Sequence, residues 1–513
     1  MFASTFTADQ IRAAEAPLLA TQEFDDQLMQ SAAHAVAEIA ATMLDNGRVL
    51  VLAGPGGNGG DGLYAGAELL LSGHRVDAYL PAGKAHERAL QAFTAAGGAV
   101  LDHLPEHGYG LVIDAMTGIG ATGEPRDNLR PAIDCANALQ AQVLAVDVPT
   151  GVEADTGTAA QCHIQADVTV TFGGWRRAHV LAPACGAQLL ADIGLPGKPL
   201  HETLGEQIAE WAGDGPPLLL ANRAVAPERT WPEDLYPLRQ APVLDIAPGA
   251  ADDKYSGGVV GIRAGSDGYP GAAVLSVAGA VNATPAMVRY AGPQALEVVR
   301  AHPEVVVTHT LEDAGRVQAW VFGPGAGTGD DAARELQWVL EQDVPVLVDA
   351  DGLTLLTTHP DLRELVHGRS QATVLTPHDG EFARLREAAE VGESDRMGET
   401  IALAQALGCT VVRKGRATVI AHEDDPHTAY AVDTGNSWAA TPGSGDVLSG
   451  VMGAHLALMQ AKSLGEEAAL SGAVTVHALA AKLAAATPFG DAAAPASRIA
   501  AHVRPATAAV AHA

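Results

Sequence analysis

Residues 49–62 read Val-Leu-Val-Leu-Ala-Gly-Pro-Gly-Gly-Asn-Gly-Gly-Asp-Gly, an apolar run that leads directly into a glycine-rich loop. A short apolar run bounded by glycine and proline is typical of a strand that is buried on both faces. A second loop of this kind, Pro442-Gly443-Ser444-Gly445-Asp446, precedes an apolar helical pattern. Glycine-rich loops that open a helix expose backbone N–H groups and bind anions. The sequence therefore predicts two separate anion sites, one in each of two domains.

Short β-rich runs alternate with helical patterns along most of the chain. They lie at 49–53, 76–80, 111–113, 143–146, 168–171, 259–263, 305–307, 319–322, 344–348, 373–375 and 410–413. Helices between successive strands are the usual crossovers of a parallel sheet, so the pattern predicts an α/β fold. We expect domains at residues 1–215 and 241–513, joined by a proline-rich linker at 216–240. The alanine-rich tail after Asp491 is expected to be largely frayed.

The composition of the chain restricts the classes of molecule that it can bind. The chain has 513 residues, and 61 acidic against 31 basic side chains give a formal net charge of −30. This charge argues against nucleic acid or an anionic membrane as a partner. The first residues contain no apolar signal segment, and no apolar stretch of about 20 residues lacks charge or proline. The four cysteines form no CxxC pair, which suits a reducing compartment. We therefore expect a cytoplasmic protein.

Polar side chains follow the strands of the first half where each strand ends. Asn58 and Asp61 follow the first strand, Asp114 ends a later one, and Asp147 and Thr150 follow another. Ligands of open α/β sheets gather at these carboxyl ends. The oxygens of Asn58, Asp114 and Thr150 suit an alkali or alkaline-earth cation rather than zinc. Asp147 is a candidate for moving a proton, although any single aspartate at a strand end can simply cap a helix or brace a loop.

The second half repeats this arrangement with other motifs. Strands lead into Gly323-Pro324-Gly325-Ala326-Gly327, Asp349-Ala350-Asp351-Gly352, Thr376-Pro377-His378-Asp379-Gly380-Glu381 and Lys414-Gly415-Arg416-Ala417-Thr418. The N–H groups of the loop at 443–445 are suited to stabilising charge on a transferring phosphoryl group, and Asp446 to accepting a hydroxyl proton. A plain helix cap is the alternative role for Asp446.

The motifs of the first half resemble the NAD(P)H-hydrate epimerase domain in order and spacing. They are Asn-Gly-Gly-Asp-Gly at 58–62, Asp-Ala-Met-Thr-Gly-Ile-Gly at 114–120 and Val-Asp-Val-Pro-Thr-Gly at 146–151. The resemblance implies a Rossmann-like three-layer αβα domain in which Asn58, Asp114 and Thr150 ligate potassium. It also implies that Asp147 is the acid/base at the nicotinamide end. The hydrated nucleotide would be held by Asn58, Gly59, Gly60, Asp61, Gly62, Gly118, Ile119, Gly120, Ala121, Thr122, Gly123 and Glu124.

The motifs of the second half look like the NAD(P)H-hydrate dehydratase branch of the ribokinase-like superfamily. This resemblance implies a ribokinase-like αβα domain that phosphorylates the hydrate hydroxyl from ADP, with magnesium, and expels it as phosphate. Asp446 would be the base, and Ala272, Gly325 and His378 would contact the hydrate. The ADP site would comprise Lys414, Gly415, Arg416, Ala417, Thr418, Gly443, Ser444 and Gly445. Pro442 and Arg416-Ala417 depart from the usual glycine and Ala-Gly of this branch.

Together the two resemblances predict a bifunctional enzyme. One domain would interconvert the R and S forms of hydrated NADH or NADPH, and the other would dehydrate the S form, producing AMP and phosphate. We expect a homo-oligomer whose partners are these small molecules, without nucleic acid or membrane. Two alternatives are a sugar or vitamin kinase with an N-terminal nucleotide sensor, and a non-catalytic nucleotide-binding scaffold.

Overall fold

The computed structural model describes residues 2–211, 215–227, 229–240, 246–283 and 286–511. The chain forms two compact units. The N-terminal unit consists of Ala3–Ala221 with Ala226–Arg239, and the C-terminal unit of Met1–Phe2, Asn222–Val225 and Gln240–Ala513. The expected start of the second domain, at residue 241, lies outside the described residues, so the domain limits stay a prediction.

Strands and helices alternate along the chain up to residue 239. In chain order they are β1 (Ala3–Phe6), α1 (Ala8–Leu19), α2 (Gln27–Met43), β2 (Arg48–Ala53), α3 (Gly57–Leu71), β3 (Val76–Tyr79), α4 (Glu87–Ala95), β4 (Ala99–Val100), β5 (Tyr109–Ala115), α5 (Arg130–Ala138), β6 (Gln142–Val146), β7 (Val168–Phe172), β8 (Trp175–Arg176), α6 (Ala178–Leu181), β9 (Ala187–Ala191), β10 (Gly194–Leu195), β11 (Lys198–Pro199), α7 (Leu200–Trp211), β12 (Leu218–Arg223) and β13 (Leu235–Pro237).

The main sheet of the N-terminal unit has the order β13-β9-β7-β6-β5-β2-β3-β4. All neighbours are parallel except β13 and β9. Val49 and Val51 of β2 pack into one buried cluster, which includes residues of α1 to α4. Leu50 and Leu52 pack into another, which includes residues of α5. Since side chains alternate along a strand, these two cores lie on opposite faces of the sheet. The predicted three-layer αβα arrangement is confirmed.

The segment at 216–240 is more ordered than a linker. It contains β12 and β13, and β13 pairs antiparallel with β9 in the register Leu235↔Ala191. Its many prolines hid these strands in the sequence, because proline lacks the N–H that a ladder needs. Pro237 lies in the edge strand of the sheet, and an edge position tolerates that loss.

Helices and strands alternate again from residue 246. The elements are β14 (Val259–Arg263), α8 (Pro270–Ala283), β15 (Met287–Ala291), α9 (Ala295–Ala301), β16 (Val306–Thr308), β17 (Ala319–Phe322), α10 (Asp330–Leu340), β18 (Val346–Val348), α11 (Asp351–Thr358), α12 (Pro360–His367), β19 (Thr373–Leu375), α13 (Asp379–Ala388), α14 (Arg396–Leu407), β20 (Thr410–Arg413), β21 (Ala417–Ala421), β22 (Thr428–Asp433), α15 (Ser444–Lys462), α16 (Glu466–Ala485), β23 (Ala486–Thr487), β24 (Gly490–Asp491) and α17 (Ala496–Ala511).

The sheet of the C-terminal unit runs β16-β15-β14-β17-β18-β19-β20-β21-β22. Neighbours are parallel as far as β20, and β20, β21 and β22 then form an antiparallel meander. Helices α8 and α15 contact β14, and α10 contacts β17. The parallel strands end at the motif loops, so the sheet gathers those loops along one edge.

The expectation of a frayed tail is wrong. Helix α17 buries Ile499 and Val503 completely and packs on α8 and α16. Alanine side chains lose little entropy on burial, so an alanine-rich helix packs closely despite its low hydrophobicity. Helix α16 is long and apolar enough to cross a membrane, but 72% of its most apolar window is buried inside the protein. Its contacts with α15 and α17 account for its composition.

Candidate active sites in the two units

The three predicted cation ligands form one hydrogen-bonded network. Asp114 is the second-last residue of β5 and is completely buried. Its two carboxylate oxygens accept hydrogen bonds from the backbone N–H and the hydroxyl of Thr150, each at 2.7 Å. The Thr117 hydroxyl donates to the Thr150 hydroxyl at 3.2 Å, and the Asn58 amide donates to the Thr117 carbonyl at 2.7 Å. Thr117, which was not predicted as a site residue, therefore joins Asn58 to Asp114 and Thr150.

The chemistry of this network fits a hard cation. Burial raises the pKa of Asp114 to about 6, although hydrogen bonds from Thr150 and Met116 oppose this. Within the described ranges, no basic side chain forms an ion pair with Asp114, and Asn58 Oδ1 accepts no hydrogen bond. A positive ion near a buried carboxyl group favours its charged form. Carboxylate, hydroxyl and amide oxygens are the donors that alkali and alkaline-earth ions take.

Asp147 is held in a rigid setting directly after β6. Its backbone has φ +68°, a left-handed conformation that aspartate and asparagine tolerate better than most residues. One carboxylate oxygen, Oδ1, accepts hydrogen bonds from Thr171 and from the buried Arg176, both at 3.0 Å. His179 Nε2 donates to the Asp147 carbonyl at 2.7 Å, and Nδ1 of the same ring accepts from the Arg176 backbone. Among the described residues nothing donates to Oδ2, which leaves this oxygen for a ligand.

Two further carboxyl groups face Asp147. Burial raises the pKa of Asp61 well above its ordinary value, and the charges of Asp147 and Glu15 add to this. Burial also raises the pKa of Glu15, against the opposing charge of Arg176. Like charges that share one site do not all ionise together. Asp61 and Glu15 therefore keep a proton at higher pH than isolated carboxyl groups would.

Glu15 and Arg176 were both missed at the sequence level. Arg176 follows β7 closely, and the rule that strand ends carry the site, applied to every strand, would have marked it as a candidate. Glu15 lies on helix α1, and nothing in the helical spacing separates it from an ordinary half-buried acid. Only the packing of α1 brings this residue to the site.

The two predicted nucleotide loops of this unit have different environments. A Cβ atom at Gly59 would clash with the Gly54 carbonyl, and one at Gly62 would lie 2.6 Å from the Ala115 side chain. These two glycines therefore allow α3 to pack closely on the sheet. In the loop at 118–124, Gly123 N–H donates to Glu153 at 2.8 Å. Glu124 accepts from the Gln161 N–H at 2.8 Å and so braces the loop.

In the C-terminal unit, Asp446 lies in the first turn of α15. Gly443 caps this helix in a left-handed conformation with φ +83°. The pKa of Asp446 is raised to about 6, chiefly by burial and then by the charge of Asp349, while the charge of Lys414 opposes the increase. His477 Nε2 lies 3.1 Å from both the hydroxyl and the carbonyl oxygen of Ser444. The arrangement combines a helix N-terminus with a carboxyl group whose pKa is close to neutrality, which suits a general base.

Lys414 brings two predicted motifs together. Its ammonium group lies 2.7 Å from Asp349 Oδ1 and would lie 3.8 Å from a Cβ atom at Gly445. The Ser449 hydroxyl donates to the other oxygen of Asp349. Asp349 is therefore held from two sides, and its partner Lys414 stands beside the glycine loop where a transferring phosphate would need a positive charge.

Several other residues of the predicted ADP segment at 414–418 make contacts within the protein. Arg416 Nε donates to Asp433 at 2.8 Å, and Thr418 donates to the Gly415 carbonyl at 3.2 Å. Ala417 and Thr418 are buried at the start of β21. Arg416 therefore stabilises the meander with its charge, while the ammonium group of Lys414 lies beside the glycine loop.

Two of the three predicted hydrate contacts are neighbours. Gly325 has φ +61°, and a Cβ atom there would lie 2.9 Å from the side chains of both Ala272 and Tyr269. His378 instead caps the N-terminus of α13, where its Nδ1 accepts from the Gly380 N–H at 3.0 Å and its side chain is mostly exposed. The described contacts do not join His378 to Ala272 or Gly325.

Comparisons with known proteins agree with two functional halves. The family model described as "YjeF-related protein N-terminus" matches residues 25–178. The model described as "NAD(P)H-hydrate dehydratase" matches residues 260–502.

Full-length relatives extend this likeness over the whole chain. The chain is 44% identical to "Bifunctional NAD(P)H-hydrate repair enzyme Nnr" of Corynebacterium glutamicum, covering 98% of each chain. It is also 44% identical to the protein of that name from Mycobacterium tuberculosis, covering 88% of this chain and 89% of the relative. An ADP/ATP-dependent NAD(P)H-hydrate dehydratase from Bacillus subtilis, co-crystallised with ATP and Mg²⁺, matches 52% of this chain and 94% of its own at 24% identity and TM-score 0.43. On the identity and coverage of the full-length relatives, this chain belongs to the family of bifunctional NAD(P)H-hydrate repair enzymes.

Proposed function

We propose that this protein repairs hydrated NADH and NADPH by two reactions, one in each unit. The N-terminal unit interconverts the R and S forms of the hydrate. The C-terminal unit dehydrates the S form with ADP and releases AMP, phosphate and the repaired nucleotide. The observation that carries the proposal is the presence of two separate carboxylate sites, centred on Asp147 and Asp446, each beside a glycine-rich loop in a chain of this family.

The epimerase reaction needs a reversible proton transfer. The hydrate carries its hydroxyl on the carbon beside the ring nitrogen, so this centre opens and recloses, or loses and regains the hydroxyl, when a proton is shuttled. Asp147 is suited to this because Arg176 and Thr171 hold Oδ1 and leave Oδ2 for the substrate. The raised pKa values of Asp61 and Glu15 keep a proton close by. The nucleotide would lie along residues 58–62 and 118–124.

A potassium ion is proposed at Asn58, Asp114 and Thr150. Such an ion supplies positive charge to a buried carboxylate and to an anionic substrate. The network through Thr117 keeps the three side chains together. Their oxygens would hold the ion beside the loop that starts at Gly118, where a Cβ atom would lie 3.5 Å from the Asn58 Cβ.

The dehydratase reaction starts with phosphoryl transfer. Asp446 takes the proton of the hydrate hydroxyl as this oxygen bonds to the β-phosphorus of ADP, and AMP leaves. The lone pair of the ring nitrogen then expels phosphate by breaking the C–O bond, and loss of a proton from the neighbouring ring carbon restores the double bond. Lys414 and the N–H groups of residues 443–445 would stabilise charge on the phosphoryl group, while Ala272, Gly325 and His378 would contact the hydrate. Magnesium bound with ADP would neutralise phosphate charge.

The cellular setting is part of the proposal. We infer a cytoplasmic homo-oligomer that acts on small molecules without nucleic acid or membrane. The net charge of −30, the four free cysteines and the burial of α16 support the compartment and the absence of nucleic acid or membrane, and the oligomer is proposed without such support.

Two isosteric substitutions test the assignment of reactions. The substrate is a mixture of R and S NADH hydrate, and recovery of NADH is followed by its near-ultraviolet absorbance after addition of ADP, Mg²⁺ and K⁺. The unmodified protein is expected to recover all of the hydrate. Asp147→Asn should recover only the S fraction, whereas Asp446→Asn should recover none and still equilibrate R and S on chromatography.

Other outcomes would overturn one half of the proposal. Full recovery by Asp147→Asn would remove the epimerase role of this residue. Absence of recovery by the unmodified protein with ADP or ATP would rule out the dehydratase and favour a kinase that acts on another alcohol.

A further inference from the structure

Helix α1 delivers an arginine to the loop at 118–124. A Cβ atom at Gly120 would overlap Nη2 of Arg12 and lie 3.6 Å from its Cζ. The guanidinium group therefore occupies the space that any larger residue at position 120 would take. The helix is fixed by a capping box of Thr7 and Gln10 and by an Ala8 N–H bond to Asp155 at 2.7 Å. The position of Arg12 beside the loop thus follows from the fold.

Much of the guanidinium group is free to bind a ligand. Nη1 donates to Asp9 at 2.8 Å, and both side chains of this pair are largely exposed, at 51% and 92%. Exposed pairs of this kind contribute little and exchange readily with other partners. Within the described residues, Nη2 and Nε of Arg12 have no hydrogen-bond acceptor. The nitrogen that faces Gly120 is therefore unpaired on the protein side.

The loop beside it offers further donors. Ala121 N–H bonds to the Gly118 carbonyl at 3.0 Å and Gly123 N–H to Glu153. The N–H groups of Ile119, Gly120 and Thr122 have no acceptor in the described part of the chain. Consecutive free N–H groups beside a guanidinium group are suited to a phosphate. Two other arginines near this site have carboxylate partners: Arg176 is buried and bonded to Asp147, and Arg130 lies 3.6 Å from Glu124 of the loop.

We propose that Arg12 binds a phosphate oxygen of the hydrated dinucleotide against the loop at 118–124. This inference rests on the proposed epimerase function and adds a substrate-binding residue to it. A chain with a net charge of −30 repels an anionic substrate unless a local cation attracts it. The matched family segment begins at residue 25, so helix α1 lies outside it.

Kinetics of the epimerase reaction provide the first test, in an Asp446→Asn background that stops dehydration. Arg12→Ala is expected to raise KM for the R hydrate about 10- to 100-fold, the usual worth of a charged hydrogen bond, with little change in kcat. Arg12→Lys should recover part of the loss, and Gly120→Ala should resemble Arg12→Ala by displacing the guanidinium group. The control is Arg75→Ala, which removes an exposed arginine of the same unit. An unchanged KM, or a fall in kcat alone, would overturn the inference.

Binding without turnover separates this inference from the proposed function. NADPH fluorescence is titrated with ADP saturating the C-terminal unit, and inorganic phosphate and pyrophosphate are added as competitors. Weaker NADPH binding in Arg12→Ala, without epimerase activity in the parent, would support the phosphate contact and reject the proposed reaction. Equal binding in parent and variant, or no binding in either, would reject the contact. Competition by pyrophosphate but not by phosphate would identify a dinucleotide site rather than a simple phosphate site.

Discussion

Lys414 Nζ lies 2.7 Å from Asp349 Oδ1, and the two residues act in opposite directions on the base proposed for the dehydratase. Burial has the largest effect on the pKa of Asp446, Asp349 also raises it and Lys414 lowers it, and together these effects bring it to about 6. The ion pair therefore adjusts the pH range in which Asp446 is ionised, as well as placing an ammonium group beside the glycine loop.

Asp349→Asn should move the acid limb of the dehydratase pH profile to lower pH. The substitution removes a like charge and leaves Lys414 uncompensated, so both changes favour ionised Asp446. A general base works only when ionised, so kcat/KM rises with pH through its pKa, which is about 6 in the unmodified protein. The measurement is kcat/KM against pH with saturating ADP. Asp351→Asn, which removes a weaker like charge, should shift the limb less. A shift to higher pH would contradict the role of the pair.

Potassium should stabilise the N-terminal unit through Asp114. Because burial raises the folded pKa of this residue to about 6, the native state binds more protons than the unfolded chain between about pH 4 and 6. Without a cation, this group therefore makes stability fall as pH rises through that range. A bound ion offsets the effect, so KCl should raise the unfolding temperature more at about pH 8 than at about pH 5. Calorimetry measures this, with choline chloride as the salt control. Asp114→Asn should respond equally to both salts.

Arg176→Met should destabilise the N-terminal unit and abolish epimerisation. It leaves buried Asp147 without its charged partner, which typically costs about 3–5 kcal/mol. The double variant Arg176→Met, Asp147→Asn should regain much of the stability but none of the activity. Urea unfolding of the two single variants and the double variant measures the coupling. Additive losses would show that the pair contributes no coupling energy.

Gly325→Ala should weaken binding of the hydrate without affecting ADP. The new methyl group would press on Ala272 and Tyr269 in a left-handed backbone. Gly327→Ala is a matched control, because Gly327 also has positive φ and a Cβ atom there would have no atom within 4 Å. Both should lose about 1 kcal/mol of stability from backbone strain. Only Gly325→Ala should raise KM for the S hydrate. An equal rise in both variants would assign the effect to strain.

The sequence predicted the parts of the fold that depend on local pattern. The apolar run before the first glycine loop is β2, and both glycine loops open helices, α3 and α15. The strand-end rule also gathered Asn58, Asp114 and Thr150, because parallel strands bring their carboxyl ends to one edge. These predictions rest on hydrophobic periodicity and on glycine and aspartate residues, whose chemistry makes them easy to recognise in a sequence.

The features that the sequence did not predict depend on contacts between residues that are far apart along the chain. Helix α1 places Arg12 beside Gly120 and Glu15 near Asp147, each more than one hundred residues further along the chain, and no spacing rule connects them. The strand at Leu235–Pro237 was hidden because proline opposes strands except at an edge, and edge position is itself a tertiary property. The order of the C-terminal helix α17 was underestimated, because an alanine-rich helix is stabilised by close packing rather than by a large buried hydrophobic area.

The left-handed backbone of Asp147 has a consequence for interpreting the sequences of related proteins. Most other residues at this position would remove the carboxyl group and also destabilise the fold, whereas asparagine and glycine tolerate the left-handed backbone. Evolutionary loss of the epimerase should therefore leave a recognisable trace. A relative with asparagine or glycine here, and with an uncharged residue in place of Arg176 so that no buried charge is left unpaired, is expected to be a stable pseudoenzyme that binds the nucleotide without converting it.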